Sequence, residues 1–308
     1  MLIVISEFMD EAAVATLAAR HTVRYEPDLV NHRDALLQAC EAADALIVRN
    51  RTRVDAALLA AAPRLRAVGR LGVGLDNIEL PACAERGIRV IPATGANARA
   101  VAEYVIATAL MLLRGAYAHG AAVAAGAWPR TELSNGLEAE GRTLGIVGFG
   151  GIGQLTARLA RGLDMQVAAH DPLLAADSPV WAETGTHPMA LDALLAGCDA
   201  VSLHLPLTPQ TAGLFDAARL ARMKPGAILI NTARGGIIDE TALAAALRSG
   251  ALRGAAIDVF GQEPLPAGGP LADAPNLILT PHIAGLTQEA NERVSSLVAQ
   301  RVDEALRA

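Results

Sequence analysis

The stretch TLGIVGFGGIGQLTARLARGLDMQVAAHDP, residues 143–172, constrains the fold of this chain more than any other. It reads as an apolar strand, a glycine-rich turn, a helix and a second strand that ends on an acid. Gly148, Gly150 and Gly153 keep the spacing G-x-G-x-x-G. In such a unit the first glycine permits the tight turn and the second lets a pyrophosphate approach the backbone. The third lets the helix pack closely on the strand, with the helix N-terminus facing the phosphates. Taken alone, the glycine spacing also suits a plain strand-to-helix turn. Asp171, at the end of the second strand, adds what that reading lacks: a carboxylate at the distance that serves both ribose hydroxyls. It would repel a 2′-phosphate, and Pro172 follows it with no arginine alongside. The expected cofactor is therefore NAD rather than NADP.

Around this unit, short apolar strands alternate with alanine-rich helical segments. LIVIS, ALIVR, RAVGRL and IRVI are strand candidates in the first third. TLGIVG, MQVAAHD, DAVSLHL, GAILINT, GAAIDVF and NLILTPH form a second series. Such alternation predicts parallel sheets covered by helices, an α/β class. A length of 308 residues suits about two domains. The long helical run from Asn97, a candidate N-cap, leads into a polar loop or arm, AWPRTELSNGLEAEGRT. The last amphipathic segment has no strand partner nearby and is expected to cross back onto the first domain. The expected division is 1–98 plus 286–308 for a discontinuous substrate-binding domain, and 99–285 for an NAD-binding domain.

Composition excludes several classes. With 52% hydrophobic and 19% charged residues, disorder is not expected. The net charge of −6 comes with no basic block, so nucleic acid is not an expected partner. No apolar run approaches the roughly 20 residues that span a bilayer, and the first residues read as a strand rather than a signal peptide. Cys40, Cys83 and Cys198 are far apart and make no metal-binding spacing, which points to a reducing cytoplasm and no metal.

The chemistry is expected where strands end, because ligands of open α/β sheets bind beyond the carboxyl ends. Arg234 follows the apolar run AILIN on a glycine turn, Glu263 follows AAIDVF, and His282 follows LILTP. Each alone could be a surface charge or a loop cap. Together, on the sheet edge that carries the glycine loop, they suit hydride transfer between a 2-hydroxy acid and a 2-oxo acid. A guanidinium grips the substrate carboxylate and carbonyl with parallel hydrogen bonds. An imidazole exchanges the proton near neutral pH. A carboxylate beside it favours the imidazolium and fixes the ring.

These residues carry a resemblance. GRLGVGLDNIEL, NARAVAEYVIATALMLLRG, TLGIVGFGGIGQ, LHLPLTPQTAGLF, MKPGAILINTARGGIIDETALAAALRSG, AAIDVFGQEPLP and LTPHIAGLTQEA resemble, in order and nearly end to end, segments of the D-isomer-specific 2-hydroxyacid dehydrogenases, particularly the phosphoglycerate dehydrogenase branch. The resemblance implies two Rossmann-like domains with a catalytic cleft between them, and a trio of Arg234, Glu263 and His282. It implies cofactor contacts from Gly150, Ile152, Asp171, Leu205, Thr232, Ala233, Asp258 and the stretch His282 to Gly285, beside Gly148, Gly151 and Gly153 of the loop. It further implies that the backbone at Val73 and Gly74 holds the substrate carboxylate and that Asn97 faces the substrate. Gly151 stands where relatives often carry a large polar residue. The regulatory domains of many phosphoglycerate dehydrogenases are not expected.

LIVRNRT ends a strand with Arg49 and Arg51. These are either surface charges or a pocket for a second substrate anion, and the resemblance favours the pocket. The expected substrates rank as sulfolactate, then 3-phosphoglycerate, then glyoxylate or hydroxypyruvate. A binding-protein alternative, an NAD-sensing corepressor, is implied by some relatives. A homodimer through the NAD-binding domain and its arm is also expected.

Overall fold

The computed structural model describes all 308 residues, the side chain of Ala118 excepted. The chain divides into two compact units, one of residues 1–97 and 286–308 and one of residues 98–285. Each is an α/β layer structure built on a parallel sheet, as the alternation of strands and helices predicted.

The first unit holds β1 (Leu2–Ile5), β2 (Thr22–Tyr25), β3 (Ala45–Val48), β4 (Ala67–Arg70) and β5 (Arg89–Pro92), in the order β2-β1-β3-β4-β5. Every pairing is parallel. All four residues of β3 are buried, as expected for a central strand covered on both faces. On one face lies the C-terminal helix, Gln288–Arg307, with Val294, Val298 and Val302 in the same core as Ile3, Ile47 and Ala67. Gly69 in β4 explains the close fit. A Cβ there would lie 2.7 Å from Val298 and 2.9 Å from Val302. Asp303 anchors the far end of this helix to His21 and Arg20 at 2.9 and 2.8 Å.

The second unit holds β6 (Thr143–Val147), β7 (Gln166–His170), β8 (His187–Pro188), β9 (Ala200–Leu203), β10 (Ala227–Asn231), β11 (Leu252–Ile257) and β12 (Leu277–Leu279). Their order is β12-β11-β10-β9-β6-β7-β8, again parallel throughout. Strand order reverses between β6 and β9. Such a reversal opens a crevice at the carboxyl edge, where doubly wound sheets bind ligands. The helix Ala98–Arg114 covers one face, with Val105, Ala109 and Leu113 packed beside Ile146, Ile228 and Ala256. Edge strands β2 and β8 were not among the sequence candidates. β2 is only half-buried and β8 is two exposed residues long, so neither presents an apolar run.

Candidate active site

The glycine loop sits at the carboxyl end of β6, and its three glycines have different reasons to be there. Gly148 has φ +92°, and a Cβ on it would meet the His204 carbonyl oxygen at 2.4 Å. Gly153, in the helix Gly151–Arg161, would place a Cβ 2.5 Å from the Gly148 carbonyl oxygen. Gly150 and Gly151 have no atom within 4 Å of a would-be Cβ, which leaves the loop open on the side a pyrophosphate would occupy. Ile152 follows in the first turn of the helix, and Leu205 packs beside Gly148.

Asp171 performs a task beyond the one the sequence suggested. Its Oδ2 accepts from the Phe149 amide at 2.8 Å and its Oδ1 from the Leu173 amide at 2.9 Å. The carboxylate thus fixes the glycine loop while each oxygen keeps acceptor capacity for a ribose hydroxyl. Across the crevice edge, Ala233 is buried, and the buried Thr232 hydroxyl has no hydrogen-bond partner in the protein. An open glycine loop, a half-satisfied carboxylate and an orphaned hydroxyl fit a dinucleotide.

Arg234 leaves β10 on a turn that Asn231 clamps. The Asn231 amide donates to the Arg234 carbonyl at 2.9 Å, and its oxygen accepts from the Ala233 amide at 3.0 Å. The two glycines that follow have separate causes. Gly236 has φ +77°. Gly235 lies against the next strand end, where a Cβ would be 1.7 Å from the Phe260 carbonyl oxygen. This contact brings the Arg234 turn against the loop that carries Glu263. Phe260 donates its amide to Glu263 Oε1 at 3.1 Å, and Glu263 Oε2 lies 2.8 Å from His282 Nδ1. Glu263 is therefore held at one oxygen and holds the imidazole with the other. The pairing uses Nδ1 of His282, and the side chain is 35% exposed.

Asp258 ends β11 almost fully buried, at 1% exposure. Its carboxylate accepts from the Ile283 and Ala284 amides, both at 2.8 Å, in the stretch that runs to Gly285. Beside the loop, His204 is half-buried and its Nε2 lies 3.0 Å from the Ser202 hydroxyl. Burial pushes its imidazole down to about 4, so it is neutral near physiological pH.

In the first unit, Arg49 and Arg51 diverge. Arg49 donates to Asn291 Oδ1 at 2.8 Å and to the Phe8 carbonyl at 3.5 Å, and it lies 5.5 Å over the Phe8 ring. Its hydrogen-bond partners are neutral. Desolvation lowers its pKa, against the nearby Glu7 carboxylate, which favours the charge. Glu7, 5% exposed, directs its carboxylate to the amides of Arg49, Arg51 and Thr52 at 2.8, 3.3 and 2.9 Å. Asn77 grips the same turn through the carbonyls of Arg49 and Thr52 at 2.9 and 2.6 Å. Arg51 instead reaches Asn31 at 2.6 Å and lines a small pocket with Arg33 and Arg53. Val73 is exposed, Gly74 is half-buried, and the Asn97 side-chain oxygen is buried with no partner. Glu7, Asn77 and Asn291 escaped the sequence reading because each acts on backbone or side chains distant in sequence, and Asn231, whose partners are local, was read only as the end of an apolar strand.

Residues 106–284 match the family model described as D-isomer specific 2-hydroxyacid dehydrogenase, NAD binding domain. The chain belongs to the D-isomer-specific 2-hydroxyacid dehydrogenases. It is 55% identical over 304 residues to (S)-sulfolactate dehydrogenase of Chromohalobacter salexigens, covering 99% of this chain and 98% of that one. It is 42% identical to D-3-phosphoglycerate dehydrogenase of Mycobacterium tuberculosis, covering 99% of this chain but 57% of the longer relative. The NAD complex of a formate dehydrogenase from Staphylococcus aureus superposes with a TM-score of 0.84 at 30% identity, covering 99% and 95% of the two chains. This dehydrogenase is NAD-dependent and acts on 2-hydroxy acids. Among its described residues, no helix is long and apolar enough to cross a membrane.

Proposed function

We propose that this dehydrogenase oxidises a D-configured 2-hydroxy acid that carries a second anion, with (S)-sulfolactate as substrate and sulfopyruvate as product. The (S) label denotes the D-like arrangement, because sulfur changes the priority order. The end-to-end likeness to the Chromohalobacter enzyme carries this reading. Its local support is Arg49, a half-buried guanidinium whose hydrogen bonds go only to neutral oxygens. Such a group suits an incoming anion better than Arg51, which is exposed and bonded to Asn31.

NAD supplies the hydride acceptor. Arg234 pairs with the substrate carboxylate and steadies the oxygen at C2. His282 Nε2 takes the hydroxyl proton during oxidation and returns it during reduction. Glu263 keeps the ring oriented through Nδ1, so that Nε2 faces the substrate. Val73 and Gly74 are the proposed partners of the carboxylate end, and Asn97 is proposed to face the substrate, its unpaired oxygen open to a donor. Asp171, Thr232, Ala233, Leu205 and Asp258 are the proposed cofactor contacts, with the open face at Gly150 and Gly151 receiving the pyrophosphate.

Arg49→Ala tests the distal site. Loss of a charge-assisted hydrogen bond is worth roughly 1.5–3 kcal/mol, so KM for sulfolactate should rise on the order of 10- to 150-fold. Glyoxylate, which has no distal anion, should be little affected, as should sulfolactate in Arg51→Ala. Equal small losses on both substrates in Arg49→Ala would remove Arg49 from the pocket.

We further propose a homodimer through the NAD-binding unit, in a reducing cytoplasm that suits three buried free thiols. Trp128 is 79% exposed on the arm segment, and Tyr117, which precedes it, is 66% exposed. Tyr117 also lines a cleft of about 780 Å³ that includes Met111, Leu112, Leu252 and Leu277. The partner's arm would cover both.

A further inference from the structure

His282 adopts a backbone conformation that an L residue avoids. Its φ is +56°. The left-handed region costs a non-glycine residue roughly 1–2 kcal/mol and persists only where the surroundings over-determine it. The surroundings here centre on Asp258. Its backbone carbonyl accepts from the His282 amide at 2.8 Å. Its Oδ1 accepts from the Ile283 amide at 2.8 Å and from the Thr280 hydroxyl at 2.6 Å, and its Oδ2 accepts from the Ala284 amide at 2.8 Å. A carboxylate has about four acceptor positions, so one remains on Oδ2 for a cofactor donor. Loop-holding and cofactor contact are therefore compatible in Asp258.

The chain of bonds continues away from the site. Thr280 has one hydroxyl hydrogen, and it points to the carboxylate. Tyr104, on the helix Ala98–Arg114, has its hydroxyl 2.6 Å from Thr280 Oγ1. With the Thr280 hydrogen committed, Tyr104 must be the donor. Burial raises the Tyr104 pKa, which keeps its hydrogen in place. The result is a directed series: Tyr104 gives to Thr280, Thr280 gives to Asp258, and Asp258 holds the residues on either side of the strained histidine. Hydrogen bonds in such a series polarise one another.

We propose that Tyr104 and Thr280 are positioning residues of the reaction, which act through Asp258 to hold His282 in the conformation that aims Nε2 at the transferred proton. This rests on the reading of His282 as the acid–base group, and the experiment separates the two. Reduction of sulfopyruvate and of glyoxylate is followed in Thr280→Val, Thr280→Ser, Tyr104→Phe and His282→Ala, with NADH affinity measured by fluorescence. Thr280→Val should lower kcat at least tenfold on both substrates, and Tyr104→Phe roughly 2- to 10-fold, the size of one hydrogen bond. Thr280→Ser should restore kcat to within about threefold of wild type, while NADH affinity stays within about twofold in the Thr280 and Tyr104 variants, because the Oδ2 position is untouched. Wild-type kcat in Thr280→Val or Tyr104→Phe overturns the proposal, as does a loss that resides in NADH affinity alone or that serine fails to rescue. If Thr280→Val does not fold, Tyr104→Phe, which keeps the ring, decides in the same way. Unchanged turnover in His282→Ala would instead overturn the acid–base reading, and failure confined to sulfopyruvate would overturn only the sulfonate reading.

Discussion

At the scale of single residues, the site depends on polar groups committed to backbone. Glu7, Asp171, Asn231 and Asp258 each satisfy amides of a strand-end turn, and each turn carries a residue proposed to meet substrate or cofactor. His204 illustrates the opposite device, a polar ring made inert by burial beside the glycine loop. Its folded-state pKa of about 4 lies below the 6.5 of an unperturbed imidazole. The unfolded chain therefore binds a proton first as pH falls. The contribution of this group to stability is complete above about pH 6.5 and is lost between there and about pH 4, up to roughly 3 kcal/mol in total. Urea unfolding at pH 7.5 and pH 5 should show this loss in wild type and a flatter dependence in His204→Gln. Equal slopes in the two proteins would mean that His204 is not held neutral by burial.

At the scale of elements, the central strands were legible because each is mostly apolar, and the glycine loop because its spacing has a mechanism. The proposed trio of Arg234, Glu263 and His282 was picked out by one rule, that chemistry gathers where parallel strands end. The two glycines after Arg234 announced a turn. That Gly235 is needed for the Phe260 carbonyl could not be read, because the two lie on different strand ends. The Tyr104–Thr280 bond was hidden for the same reason, its partners standing 176 positions apart. Edge strands were missed where exposure replaces the apolar run. The arm carries the prediction of this scale. Trp128→Ser should shift the proposed dimer toward monomer, measured by analytical ultracentrifugation across a dilution series. A wild-type distribution at every concentration, or a monomeric wild type, would defeat the arm as the interface.

At the scale of the whole molecule, the division of labour follows the chain. The second unit contains the glycine loop, Asp171 and the full trio, and the family model falls within it. The first unit contains Arg49, Arg51, Val73, Gly74 and Asn97, the residues proposed for the substrate. Membership of the family follows from the likeness of the whole chain, and the substrate is where relatives diverge. The two leading candidates share a carboxylate and a C2 hydroxyl, and they differ at the far end. A sulfonate joins carbon directly, whereas a phosphate hangs on an ester oxygen and reaches further. The most direct measurement is kcat/KM of the wild-type enzyme with NAD for (S)-sulfolactate against D-3-phosphoglycerate. The sulfonate should be favoured by at least tenfold, or about 1.4 kcal/mol of transition-state stabilisation. Equal values, or a preference for the phosphate, would contradict the account.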